Sequence, residues 1–179
     1  DHAGAAHKLR QLTGCKIVST KKCSQWYSGV SGGLMFATDL LLATWVASRK
    51  CKPKRWLGYS PYLRADIKLA DGEVIPGFED WQVLETPGHT DRDLSVYHKQ
   101  QEILYVADLM VEVKKHLISP FPIFHPNKYR NSLLRIYELQ PSRLLIAHGG
   151  EVALNEQAFD HLMSTAPRTP STHWRIVKK

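Results

Sequence analysis

A chain of 179 residues, 43% hydrophobic and 23% charged, has the composition of one ordinary globular domain and is long enough to bury a core of its own. It contains no internal repeat, linker or low-complexity segment, and no uninterrupted apolar run reaches the roughly 18 residues of a membrane span. The formal net charge of +7 leaves room for an anionic partner, much of the excess lying in Lys50, Lys52, Lys54 and Arg55 of "RKCKPKRW".

In chain order, "AGAAHKLRQLTG" predicts a short helix closed by Gly14 at its C-terminal cap, and "CKIVST" a buried strand. "LMFATDLLLATWVASRK" is apolar around much of its circumference and predicts a mostly buried helix. Thr38, Asp39 and Thr44 within it argue for a packed helix over a membrane segment, and the basic stretch after it reads as a solvated loop. "IKLADGEVI" predicts a hairpin turning at Asp71-Gly72, and "WQVLETPG" a strand broken sharply at Pro87-Gly88. "LSVYHKQQEILYVAD" reads as two strands joined near Lys99-Gln100. "NKYRNSLLRIYELQP" is an amphipathic helix stopped by Pro141. "RLLIAHGG" is a buried strand, a last helix runs from about Leu154 to Ser164, and the tail from about 166 is expected to be loosely held. Apolar strands alternating with helices predict α/β layering within a single domain over 1–179.

Cys15, Cys23 and Cys51 are odd in number and show no CxxC spacing. They give no support to a disulfide framework or a thiolate zinc site, and read as buried thiols of a reducing, cytoplasmic compartment. No signal peptide is visible.

Chemistry enters at three strand ends of one design, each an apolar run, then a metal-competent residue, then a break. These are His89 in "VLETPGHT", Asp108 in "ILYVAD" and His148 in "LLIAHGG". Strands deliver side chains to a common edge, where loops converge on a site held by a rigid scaffold. Asp1-His2 ahead of the first helix adds an imidazole and a carboxylate, completing a nitrogen and oxygen donor set suited to zinc, iron or manganese. His7, His98, His116, His161 and His173 lack the strand-end context and read as surface or core histidines; His125, in "FHPNK" ahead of a helix, stays open.

"DHAG", "TPGHT", "YVAD" and "AHGG", in this order and at these separations, resemble the metallo-β-lactamase superfamily. Asp1-His2-Ala3-Gly4 is similar to the end of that family's HxHxDH motif, and "DGEVIPGFEDWQVLETPGHT" to its approach to the second histidine motif. The resemblance implies an αββα sandwich, here without the N-terminal strands and without the first two histidine ligands. It implies two divalent metal ions, zinc first, with iron or manganese as alternatives. His89 is then the one remaining ligand of the first metal, while Asp1, His2, Asp108 and His148 serve the second. Asp108 would bridge the two ions, and Asp1 would ligate one of them and orient the nucleophile. "GHTDRDLSVY" departs from the commoner GHTPGS continuation, so the details of that loop do not carry over.

The implied activity is a metal-dependent hydrolase using a metal-bound hydroxide on an ester, lactone, thioester, β-lactam or phosphodiester. Two divalent ions lower the pKa of a bridging water from about 16 toward neutrality. "SPFPIFHPNKYRNS" follows the Asp108 loop, and its prolines and aromatics form either a stiff wall on the substrate side, with His125 and Tyr129 facing substrate, or a wrap around the core. The expected partner is a small-molecule substrate, with no membrane and with the oligomeric state open. Two other readings stand beside this one: a non-catalytic fragment or binding module of the same fold, and a nuclease using the basic patch.

Overall fold

The computed structural model describes residues 3–22, 27–49 and 58–172. Asp1, His2, Cys23, Cys51, the basic stretch Lys50, Lys52, Lys54 and Arg55, and His173 lie outside the described residues. The chain divides into two compact units, 1–68 and 69–179.

In the first unit, α1 (Ala6–Thr13) is followed by β1 (Val18–Thr20) and α2 (Gly29–Arg49), and β1 pairs with β2 (Ile67–Leu69). Gly14 closes α1 at φ 74°, its N–H donating to the Arg10 carbonyl, which is the left-handed cap read from the sequence. The Asp66 carboxylate ties this unit together. It accepts from the Ile17 N–H at 2.8 Å and from the Arg10 guanidinium at 2.9 Å, joining helix to strand.

Two expectations fail here. Cys15 is exposed, because it sits on the solvent-facing turn just past the Gly14 cap. The helix expected to be mostly buried, α2, points Val30, Leu34, Leu41 and Trp45 at solvent, with Leu41 72% exposed. A helix apolar on all sides is ordinarily covered on all sides, and among the described residues these side chains of α2 are left uncovered. By length and composition it is also the one helix among the described residues able to cross a membrane. Its one carboxylate, Asp39, accepts a 2.8 Å hydrogen bond from the Tyr27 hydroxyl.

The second unit holds β3 (Val74–Ile75), β4 (Phe78–Glu85), β5 (Leu94–His98), β6 (Ile103–Tyr105), β7 (Val111–Val113), β8 (His116–Ile118), α3 (Pro126–Glu138), β9 (Arg143–Ile146), β10 (Gly150–Val152) and α4 (Glu156–Thr165). Six strands form one mixed sheet in the order β10-β9-β6-β5-β4-β3. The β4–β5 and β5–β6 pairs are antiparallel and β6–β9 is parallel, so β4, β6 and β9 all run in one direction. Their C-terminal ends therefore reach the same edge of the sheet.

Side chains from this sheet and from α3 and α4 make the core, with Leu104, Met110, Ile136 and Leu162 fully enclosed. Each such side chain contributes about 1.5–3 kcal/mol relative to exposure. Tyr137 stacks on Phe159 with ring centroids 3.9 Å apart, and the Arg130 guanidinium donates to the Met163 carbonyl, locking α3 to α4. Asn155 caps α4 by accepting from the Ala158 N–H at 2.9 Å. His98 fills a buried site with its ring edge-on to Trp81, as expected of a core histidine.

The predicted hairpin across Asp71-Gly72 does not form. A turn is present, with Gly72 at φ 80°, but β2 pairs with β1 and β3 pairs with β4. Its residues are spent on holding other segments: the Asp71 carboxylate accepts from the Glu85 N–H at 2.8 Å and from both Arg135 terminal nitrogens. Three strands go beyond the sequence expectation. β7 and β8 form a hairpin turning at Lys114 and Lys115, both at positive φ without being glycine, and β10 folds back on β9. The tail is held further than expected: Ile123 and Ser171 exchange backbone hydrogen bonds at 2.8 and 2.9 Å, and Ala166 and Thr172 are buried.

Candidate metal centre

The edge where β4, β6 and β9 end carries the three strand-end residues. Past β6 the chain enters a 3-10 turn, Ala107–Leu109, through Ala107 at φ 45° and Asp108 at φ −94°, ψ 26°. A left-handed alanine costs energy that is retained only where surrounding bonds over-determine it. Those bonds are present: Leu109 N–H donates to the Val106 carbonyl, and Ala147 N–H reaches the Ala107 carbonyl from the end of β9. The same parallel alignment brings the two neighbouring strand ends together. His148 Nε2 lies 3.5 Å from Asp108 Oδ1, with the aspartate side chain 18% exposed and the histidine 54%. The Tyr105 hydroxyl nearby is held above its ordinary pKa, first by burial and then by the Asp108 charge.

His89 is built differently. Its strand breaks at Pro87-Gly88, and α3 presses on that break: a Cβ on Gly88 would lie 2.5 Å from the Cα and Cβ of Tyr129. Ser132 Oγ donates to the Pro87 carbonyl at 2.8 Å, and the His125 N–H donates to the Gly88 carbonyl at 3.0 Å. The His89 ring is then fixed by its Nδ1, which lies 2.6 Å from the Pro122 carbonyl oxygen. A carbonyl can only accept, so Nδ1 carries a proton, and in the neutral ring Nε2 presents its lone pair. This is the state in which a histidine binds a metal, with the remote nitrogen anchored to a backbone acceptor.

The structure brings Asp108 and His148 into contact and puts His89 at the same sheet edge, two strands away in the β4-β5-β6 order. Strands lie about 4.8 Å apart, so the separation along the edge is on the order of 10 Å. Among the described residues no three His, Cys, Asp or Glu side chains already form a metal-holding group. Asp1 and His2 lie outside the described residues.

The segment read as a substrate wall divides in two. Tyr129 is 0% exposed and belongs to the core, so it cannot face a substrate; α3 is amphipathic and turns this position inward. His125, at the N-terminus of α3, stays half-buried with no side-chain cap bond, and Phe121 is exposed. Sequence reasoning misses Pro122 and Asp93. A carbonyl acceptor leaves no trace in the residue type, whereas the departure of "GHTDRD" from GHTPGS marks the loop that holds Asp93.

Residues 1–148 match the family model of the metallo-beta-lactamase superfamily. Among curated proteins the chain is similar to two probable metallo-hydrolases of Bacillus subtilis, YqjP at 29% identity over 107 residues and YflN at 26% over 110. These matches take in 51% and 54% of this chain and 32% and 40% of the relatives, so the matched part is less than half of either relative's length. Among solved structures, an archaeal metallo-beta-lactamase superfamily protein from Sulfolobus tokodaii aligns with TM-score 0.64 and 22% identity, over 92% of this chain and 62% of its own. A metallo-beta-lactamase family protein from Thermus thermophilus aligns at 0.62 and 19%, over 92% and 56%. A third protein, TTHA1623, solved in a di-iron-bound form, aligns at 0.53 and 18%, over 97% and 72%. The mixed α/β architecture is thus the metallo-beta-lactamase fold, and with its match over residues 1–148 the chain belongs to the metallo-beta-lactamase superfamily.

Proposed function

We propose that this chain belongs to a metal-dependent hydrolase that cleaves an ester, lactone, thioester, β-lactam or phosphodiester. One observation carries the reading: three strands running the same way deliver His89, Asp108 and His148 to one sheet edge, with the His89 tautomer set for ligation. The donor set is imidazole nitrogen and carboxylate oxygen, which suits zinc, iron or manganese. His89 would hold one ion through Nε2, and Asp108 with His148 would hold the other; the family motif assigns Asp1 and His2 to the same chemistry. Two bound divalent ions supply an activated water and neutralise charge on the attacked group.

The protein's own residues do the rest. The Pro122 carbonyl keeps the His89 proton on Nδ1, and the Ala107 and Ala147 backbone bond holds the two neighbouring strand ends in register. His125, half-buried beside the Gly88 turn, is the residue we propose to touch a substrate. The names of the Bacillus relatives support a metallo-hydrolase, and the di-iron neighbour supports iron as well as zinc. The exposed thiol of Cys15 fits a reducing, cytoplasmic setting.

The test is hydrolysis of a panel of these substrates by the complete polypeptide, with metal content measured on the same sample. Exhaustive chelation should abolish turnover and lower the thermal midpoint, and zinc, iron or manganese should restore both. Turnover that survives confirmed metal loss overturns the proposal.

A further inference from the structure

We infer that Asp93 is a positioning residue that holds His89 in its ligating orientation; this rests on the metal-hydrolase reading. The link between the two is one peptide plane, the His89–Thr90 amide. Its N–H donates to Asp93 Oδ2 at 2.7 Å, while its carbonyl accepts from the Phe124 N–H at 3.4 Å. The first bond is short and charge-assisted, and the second is at the limit of hydrogen bonding, so the carboxylate dominates the plane's orientation.

The other Asp93 oxygen takes the Thr90 hydroxyl at 2.5 Å, and that hydroxyl's oxygen accepts from the Arg92 N–H at 3.1 Å. The aspartate's own carbonyl accepts from the Thr86 N–H at 3.0 Å, where β4 ends and β5 begins. Asp93 thus closes the Thr90 side of the loop, beside the Gly88 N–H that donates to the Thr90 carbonyl at 2.7 Å. The commoner GHTPGS continuation has a serine at this place, with one side-chain oxygen where the aspartate offers two. The second oxygen lets Asp93 bind the Thr90 N–H and hydroxyl together.

The ring's bond to Pro122 depends on this plane. If the amide rotates, the His89 side chain swings off the carbonyl, and its proton is free to move between the two ring nitrogens. Asp93 touches neither substrate nor reacting atoms, so its effect is on geometry and tautomer.

The experiment uses the complete polypeptide with Asp93→Ala, Asp93→Asn and Thr90→Val. Long-range proton–nitrogen NMR on the metal-free protein reads the His89 tautomer, chelator competition with zinc reads affinity, and thermal melting reads the fold. The wild type should show a single Nδ1–H tautomer. Asp93→Ala should mix the tautomers and weaken zinc binding by about 10–100-fold, and Asp93→Asn, which keeps an acceptor for the Thr90 N–H, should recover most of both. If Asp93→Ala does not fold, Thr90→Val, which removes the hydroxyl alone, should give a smaller shift in the same direction. A lower midpoint with wild-type tautomer and wild-type zinc affinity overturns the inference. A mixed tautomer in a protein that binds no zinc in any form keeps Asp93 as the positioning residue and sinks the metal reading instead.

Discussion

At the scale of single residues, Ala107 is where the backbone is spent on the candidate site. An L-residue at φ 45° is strained relative to glycine, and here the strained residue directly precedes Asp108. Ala107→Gly should therefore raise the stability of the metal-free protein by about 0.5–1 kcal/mol, and Ala107→Val, adding a branched Cβ, should lower it by at least that much. Thermal melts of the two variants check the opposite signs. Asp108→Ala separates chemistry from architecture. A carboxylate that holds an ion together with His148 should cost metal stoichiometry when removed, whereas one that only supports its turn should cost about 1 kcal/mol and leave metal content unchanged. Residue identity makes His89, Asp108 and His148 legible in the sequence, because each is a metal-competent side chain at a strand end. The place of Tyr129 is legible through its helical phase, since it shares the i, i+4, i+7 face of α3 with Leu133 and Ile136, all three of them buried, so of the two readings of that segment the wrap around the core holds for this residue.

At the scale of elements, the placement of α3 against the Pro87-Gly88 break governs His89. The approach is so close that a methyl group on Gly88 would meet the Tyr129 backbone at 2.5 Å. Gly88→Ala should cost at least about 2 kcal/mol through overpacking and displace the His89 loop, lowering metal affinity together with the midpoint. Asn155→Ala is the control: losing the cap of α4 should cost about 1 kcal/mol and leave metal content unchanged. Measuring both properties on both variants distinguishes damage at the site from damage to the fold. The elements themselves are legible through periodicity and punctuation, which is why the strands leading to His89, Asp108 and His148 can be found from the sequence. The β7–β8 hairpin escapes because its turn uses Lys114 and Lys115 at positive φ, where glycine or asparagine would have announced it. The Asp71-Gly72 turn is legible as a turn, but which strands it joins is a long-range choice, made here by Arg135 and by the pairing of β2 with β1.

At the scale of the whole molecule, the response to pH should be lopsided. Burial pushes the Tyr129 phenol up to about 12 from its ordinary 10. Tyr27 is also raised, by burial and by its bond to Asp39, and Tyr105 by burial and the Asp108 charge. An unfolded chain releases phenolic protons near pH 10 while the folded chain retains them, so above about pH 10 the folded state binds more protons. Their stabilising contribution is fully present below about pH 10 and falls as pH rises toward about 12. Each pH unit of separation is worth about 1.4 kcal/mol, so Tyr129 alone contributes roughly 2–3 kcal/mol to the fall. On the acid side the opposite sign holds. Asp66 is lowered by the Ile17 N–H and Arg10, and Glu151 by Arg143, so their contribution is present above the usual carboxylate range and is lost as pH falls. Both carboxylates are open to water and salt, which makes that limb shallow. Thermal midpoints of the metal-free protein from about pH 4 to about pH 12 should show a gentle acid limb and a steep alkaline one. Tyr129→Phe keeps the ring in the core and removes one titrating proton, so it should make the alkaline limb shallower, leaving the part due to Tyr27 and Tyr105 and the acid limb in place. An alkaline limb that runs parallel in the variant and the wild type would mean that the Tyr129 hydroxyl reaches water, contrary to its burial in the core.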